Sequence, residues 1–150
     1  MSRMRMVVTG GFVGVALTLT ACGGGASSGG DSTAVDAKAL METSYIVQSI
    51  TVDGVEREVI TPVAISFTTQ GIGVSTPCNP LSGPVTYDGP TLTIGPLAST
   101  RMACEPALME QDQVLADALE GTPEWALANG RLTLTGGSTV IVAEALQLTG

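Results

Sequence analysis

Histidine is absent from this chain of 150 residues. Without an imidazole, no Ser-His-Asp triad, Cys-His dyad or histidine-ligated metal site can be built. Lysine occurs once, as Lys38 in a low-complexity stretch, which argues against a buried lysine base or Schiff-base nucleophile. Positive charge is scarce: six basic residues face fourteen acidic ones, a formal charge of −8, the wrong sign for a nucleic-acid binder. Aromatics are 3% and charged residues 13%, whereas glycine, threonine and valine are plentiful. That balance suits a small β-rich fold better than a helical bundle.

What is present begins with a targeting segment. Arg3 and Arg5 precede the uncharged, mostly apolar run Val7 to Leu19, the length of a signal peptide's hydrophobic region and too short to span a bilayer. The run ends in Leu19-Thr20-Ala21-Cys22, which resembles the bacterial lipobox: small residues precede a cysteine that takes a diacylglyceryl group and becomes the first residue after cleavage. Two acyl chains on Cys22 anchor stably where one is marginal. The Gly/Ser run from Gly23 to Gly30 then reads as a flexible tether. The expected division is a lipoprotein signal peptide over 1–21, lipidated Cys22 plus tether over 22–43, and a folded domain over 44–150. Cleavage removes two arginines and no acid, so the mature charge falls from −8 to −10, and attachment rests on the lipid alone.

With Cys22 lipidated, Cys78 and Cys104 remain as an even pair in an exported protein, and a structural disulfide is expected. A zinc site lacks the further thiol or histidine needed to complete a tetrahedron. No metal or other cofactor is expected, and no Cys-x-x-Cys motif suggests redox exchange.

The folded part reads as α+β and mainly β. Residues 34–41 hold at most a frayed helical turn. Alternating or β-branched runs predict strands over 45–52, 55–60, 63–68, 71–75, 85–87, 91–94, 125–128, 131–135 and 140–143, with turns at Asp53-Gly54, Asp88-Gly89-Pro90, Asn129-Gly130 and Gly136-Gly137. Pro77, Pro80 and Pro84 make 77–84 a rigid, turn-rich loop. A helix is predicted over about residues 106–120, opened by Pro106 and closed by Gly121, with Leu108, Leu115, Ala118 and Leu119 as its apolar stripe and Glu110, Asp112 and Asp117 mostly elsewhere. The architecture expected is a partly open antiparallel barrel or meander of about seven or eight short strands with one inserted helix.

Cys78-Asn79-Pro80-Leu81-Ser82-Gly83, then Leu92-Thr93-Ile94, then Leu97-Ala98-Ser99-Thr100-Arg101-Met102-Ala103-Cys104, then a helix carrying Glu110, then Leu132-Thr133-Leu134 occur in that order. This series resembles the META domain, the HslJ-like family of small bacterial envelope proteins, over roughly residues 44–145. The resemblance implies a barrel interrupted by a helix, in an exported lipoprotein associated with stress response and envelope integrity, with no established reaction. Tyr45 stands where a tryptophan often opens the first strand, Pro77 replaces the usual glycine before the cysteine, and Pro80 stiffens the loop that follows.

Asn79, Gly83, Thr100 and Arg101 form the candidate structural or binding loop around the disulfide. Asn79 suits bridging of turn amides, Gly83 a permissive turn, and Arg101 a carboxylate such as Glu105 or Glu110. Catalytic residues are not expected. A carboxylate pair such as Glu56 and Glu58 on one strand face reads as a solvated edge. The function expected is therefore a non-enzymatic, lipid-anchored binding and stress-tolerance module on the extracytoplasmic face of the membrane. Its partners are the membrane, through the lipid, and a protein or small apolar ligand, but no nucleic acid. A carrier would need an apolar cavity, and an inhibitor of an extracytoplasmic enzyme would need the 77–84 loop to be exposed.

Overall fold

Short alternating runs dominate the chain, and the computed structural model, which describes residues 32–146, arranges them in one antiparallel sheet. The signal segment 1–21, Cys22 and the Gly/Ser run lie outside the described residues. Helix α1 (Ser32–Met41) comes first, where only a frayed turn within a tether was expected, and its Leu40 is fully buried in the domain core. Strands β1 (Ser44–Val52), β2 (Val55–Arg57), β3 (Ala64–Phe67), β4 (Gly71–Ser75), β5 (Leu81–Asp88), β6 (Thr91–Ile94) and β7 (Ala98–Ser99) follow. Helix α2 (Pro106–Leu119) and strands β8 (Glu124–Ala128), β9 (Arg131–Gly136) and β10 (Thr139–Ala145) complete the domain.

Eight strands close into a ring in the order β10-β9-β8-β6-β5-β4-β3-β1, and β1 returns to pair with β10 from Tyr45↔Ala145 to Val52↔Thr139. The two extra strands lie outside the ring, β2 on β1 and β7 on β5. The thinnest seam joins β6 to β8, where α2 is inserted. It is held by the pair Thr91↔Glu124, the bridge Ile94↔Gly121 and the Trp125 indole N–H, which donates to Gly89 O at 2.9 Å.

The apolar residues of β1 break strict alternation: Tyr45 and Val47 are buried, and so is Ile50, three residues on. A β-bulge between Val47 and Ser49 absorbs the extra residue, leaving Gln48 exposed and returning Ile50 to the interior. A ring of eight strands leaves an interior just wide enough for side chains to fill. Ile65, Val74, Leu92, Leu132, Leu134 and Ile141 fill it, with α2 adding Leu115 and Leu119. Each such side chain contributes about 1.5–3 kcal/mol by leaving water.

Local signals hold at the hairpins. Asp53-Gly54 (φ 52° and 78°) and Asn129-Gly130 (φ 53° and 76°) take the left-handed pairs that match strand twist. Proline misled the reading of 77–84. Leu81 to Pro84 lie in β5, paired with Val74 to Gly71, and Pro84 falls at the end of that ladder. The expected exposed loop therefore contracts to 76–80, within which Thr76, Cys78 and Asn79 are buried. Among the described residues, no helix is long and apolar enough to cross a membrane.

Burial raises the Tyr45 hydroxyl above the ordinary phenol value of 10.0, the nearby Glu42 charge adding to it, and burial alone raises Tyr87. Both hydroxyls donate to backbone oxygens, Tyr45 to Ala39 O at 3.1 Å and Tyr87 to Thr68 O at 2.6 Å. The folded state thus holds these protons more tightly than the unfolded chain. Their contribution is whole below the unfolded value near pH 10 and drains as pH rises through the raised folded values. Thermal melts from pH 8 upward are expected to show no tyrosine-linked loss until about pH 10 and a steady fall beyond it. Replacing both tyrosines by phenylalanine removes that alkaline limb.

Candidate functional site

The disulfide between Cys78 and Cys104 ties the segment after β4 to the segment before α2, and Cys78 is buried. Beside it, the Asn79 carboxamide acts as a surrogate strand. Its Oδ1 accepts from Met102 N at 2.8 Å and from the Thr100 hydroxyl at 2.9 Å, and its Nδ2 donates to Met102 O at 3.2 Å. The Asn79 backbone N–H donates to Asp112 Oδ2 on α2 at 2.8 Å. One residue therefore pins the Thr100–Met102 backbone on one side and the helix on the other.

Asp112 was expected mostly off the packed face of α2, yet it is only 6% exposed. Its spacing explains this. It lies four residues after Leu108 and three before Leu115, squarely on the stripe that faces the barrel. Leu108, counted as part of that stripe, is only half-buried, and Gln111 joins Asp112 in the buried set, its Oε1 accepting from Ile60 N at 2.8 Å.

Between the 97–103 segment and α2 runs a groove of about 490 Å³. Leu97, Met102, Met109 and Ala116 form its apolar surface, and Arg101 and Asp112 line it as well. Glu120 also lines it, its carboxylate accepting from Leu97 N at 3.1 Å.

Of the candidate loop residues, the fold brings Asn79 and Thr100 together at the disulfide and puts Arg101 on the groove. Arg101 does not pair with Glu105 or Glu110: Glu110 faces Arg57 at 3.7 Å, and among the described residues no carboxylate lies within 4.0 Å of Arg101. Gly83 belongs to neither the turn nor the groove. It lies mid-strand in β5, where a Cβ would come within 2.9 Å of Leu97 Cδ2 and 3.1 Å of Pro96 O. Its role is to let the 95–97 crossing press against β5. Met102, Met109 and Asp112 were not foreseen as site residues. Only the acid within the apolar stripe carried a readable signal.

A second, smaller cleft of about 180 Å³ lies between the segment after β2 and α2, with Ile50, Ile60, Ala107 and Val114 as apolar lining. Glu56, on β2, and Glu58, just beyond it, are exposed. Among the described residues, no three His, Cys, Asp or Glu side chains converge as a metal site.

Asn79→Ala is expected to cost about 1–3 kcal/mol, because it removes the three carboxamide hydrogen bonds that hold Thr100 and Met102. Hydrogen exchange should show the loss as faster exchange of the Met102 amide before the barrel strands respond. Unchanged protection there would remove Asn79 from the role of staple.

The family model of the META domain matches residues 38–147. No curated protein sequence matches the chain. A protein from Burkholderia xenovorans, solved by NMR, is similar in fold. It is 20% identical with a TM-score of 0.61, covering 75% of this chain and 88% of its own. A second protein solved by NMR is 26% identical with a TM-score of 0.62, covering 76% of this chain and 97% of its own.

Proposed function

The chain belongs to the META-domain family, and from that premise we propose that it is an exported envelope protein, anchored through a lipid on Cys22, that works by binding a partner and supports stress tolerance. The observation that carries this reading is the Cys78–Cys104 disulfide within the folded domain, since such bonds persist in extracytoplasmic compartments. The lipobox-like Leu19 to Cys22 and the Gly/Ser run beyond it supply the anchor and the reach.

Binding by surface contact fits the architecture better than carriage inside the barrel, because apolar side chains fill the ring and the large groove lies outside it. The inhibitor reading keeps only a short loop over 76–80, with Pro77 and Pro80 exposed, because Leu81 to Pro84 pair within strand β5. Against catalysis stand the lack of histidine, the exposure of Glu56 and Glu58, and the engagement of Asp112 by the Asn79 amide.

Fractionation and intact-mass measurement test the anchor. The wild-type chain is expected in the membrane fraction, cleaved before Cys22 and carrying acyl mass on that residue. Cys22→Ser is expected to lose both the acyl mass and the membrane association. A free Cys22 thiol in membrane extracts overturns the anchor, and reduced Cys78 and Cys104 in a cytoplasmic protein overturn the export.

A further inference from the structure

Oxidants attack a protein at sulfur and at electron-rich rings, wherever these meet solvent. Among the described residues the fold withholds nearly all such groups. Histidine is absent, and Cys78 and Cys104 are already joined, so neither offers a thiolate. Trp125 is buried with its indole N–H on Gly89 O, Tyr45 is buried, and Tyr87 is half-buried with its hydroxyl on Thr68 O. The methionines of the domain differ sharply from one another. Met41 is half-buried against the core, whereas Met102 and Met109 are 57% and 45% exposed and line the same groove.

Both positions tolerate a change at the thioether. Asn79 grips Met102 by its backbone, Oδ1 accepting from Met102 N and Nδ2 donating to Met102 O, so the staple does not depend on the side chain. Met109 stands outside the buried set of α2, and neither methionine belongs to the ring core. We propose that Met102 and Met109 are a modification site for peroxide-class oxidants, at which the folded domain becomes its bis-sulfoxide without unfolding. In each event a sulfur lone pair attacks one peroxide oxygen. An S–O bond forms, the O–O bond breaks and the sulfur loses two electrons; the departing hydroxide takes the proton of the transferred hydroxyl and leaves as water. Sulfoxidation makes a flexible apolar side chain polar, so the groove exchanges two of its apolar side chains for hydrogen-bond acceptors. The surface outside the barrel thereby changes character while the core stays as it is. The site needs neither the anchor nor export.

The test treats protein from the full chain, extracted in detergent, with hydrogen peroxide and follows each residue by peptide mapping. Met102 and Met109 are expected to gain one oxygen each at least about tenfold faster than Met41, with Trp125, Tyr45 and Tyr87 unmodified. In urea, where the fold no longer shields Met41, the three rates are expected to converge. The bis-sulfoxide is expected to keep a cooperative melt. A Met102→Leu, Met109→Leu variant, close to the wild type in side-chain volume, is expected to take up no oxygen in its folded-domain peptides at the dose that converts the wild type. Equal rates for the three methionines in the folded protein, a difference that survives in urea, comparable oxidation of the buried rings, or loss of the cooperative melt on conversion of these two residues each overturns the site. Mapping residue by residue keeps the result independent of cleavage after residue 21 and of acylation at Cys22, so its failure leaves the anchored reading standing.

Discussion

Gly136→Ala is expected to destabilise the domain by about 3 kcal/mol or more, lowering the urea midpoint with little change in slope. Gly136 ends β9 where α2 crosses the barrel, and a Cβ there would fall on the backbone carbonyl of Ala118. Backbone has no alternative rotamer, so the helix itself must withdraw. Withdrawal uncovers Leu115 and Leu119, both fully buried. The neighbouring Gly137 is the control. It has open space around its Cβ position but a φ of 59°, so Gly137→Ala carries only the left-handed backbone penalty of about 1–2 kcal/mol. Equal losses for the two variants would show that the turn, not the helix crossing, sets the requirement at Gly136.

Removing the disulfide by a Cys78→Ala, Cys104→Ala double substitution is expected to cost about 3.5 kcal/mol, from the chain entropy of a loop closed across 26 positions. For a folded part of this size that is a large share of a typical stability of about 5–15 kcal/mol. The Asn79 carboxamide pins the same segment at Met102, so the two restraints overlap. A double-mutant cycle of Asn79→Ala with the cysteine pair is therefore expected to be non-additive, by more than about 0.5 kcal/mol. Denaturant melts on all four proteins provide the check. A loss under about 1 kcal/mol on removing the sulfurs would mean that the staple alone closes the loop.

How much of this was legible follows from how local each feature is. The α2 boundaries and the Asn129-Gly130 turn were readable because each rests on the preferences of a few adjacent residues. Strand β7 has only two residues and exists through pairing with Leu81 and Ser82, so no pattern announces it. The start of β5 was hidden because Pro84 speaks locally for a turn, while its pairing with Gly71 at a ladder end overrides that preference. Asp112 read as a polar-face residue because acids on helices are mostly solvated. Its partner, the Asn79 amide, comes from a distant loop.

The sequence by itself determined the alternating strands, the left-handed hairpin turns, the single late helix of the barrel and the half-cystine pair, because these follow from neighbouring residues or from simple parity. Only the tertiary structure decided that β1 meets β10 to close the ring, that Gly136 must stay bare beneath the helix, and that Arg101 and Asp112 border one groove. Those outcomes depend on which surfaces exclude water against each other across long stretches of chain, and no local preference encodes that.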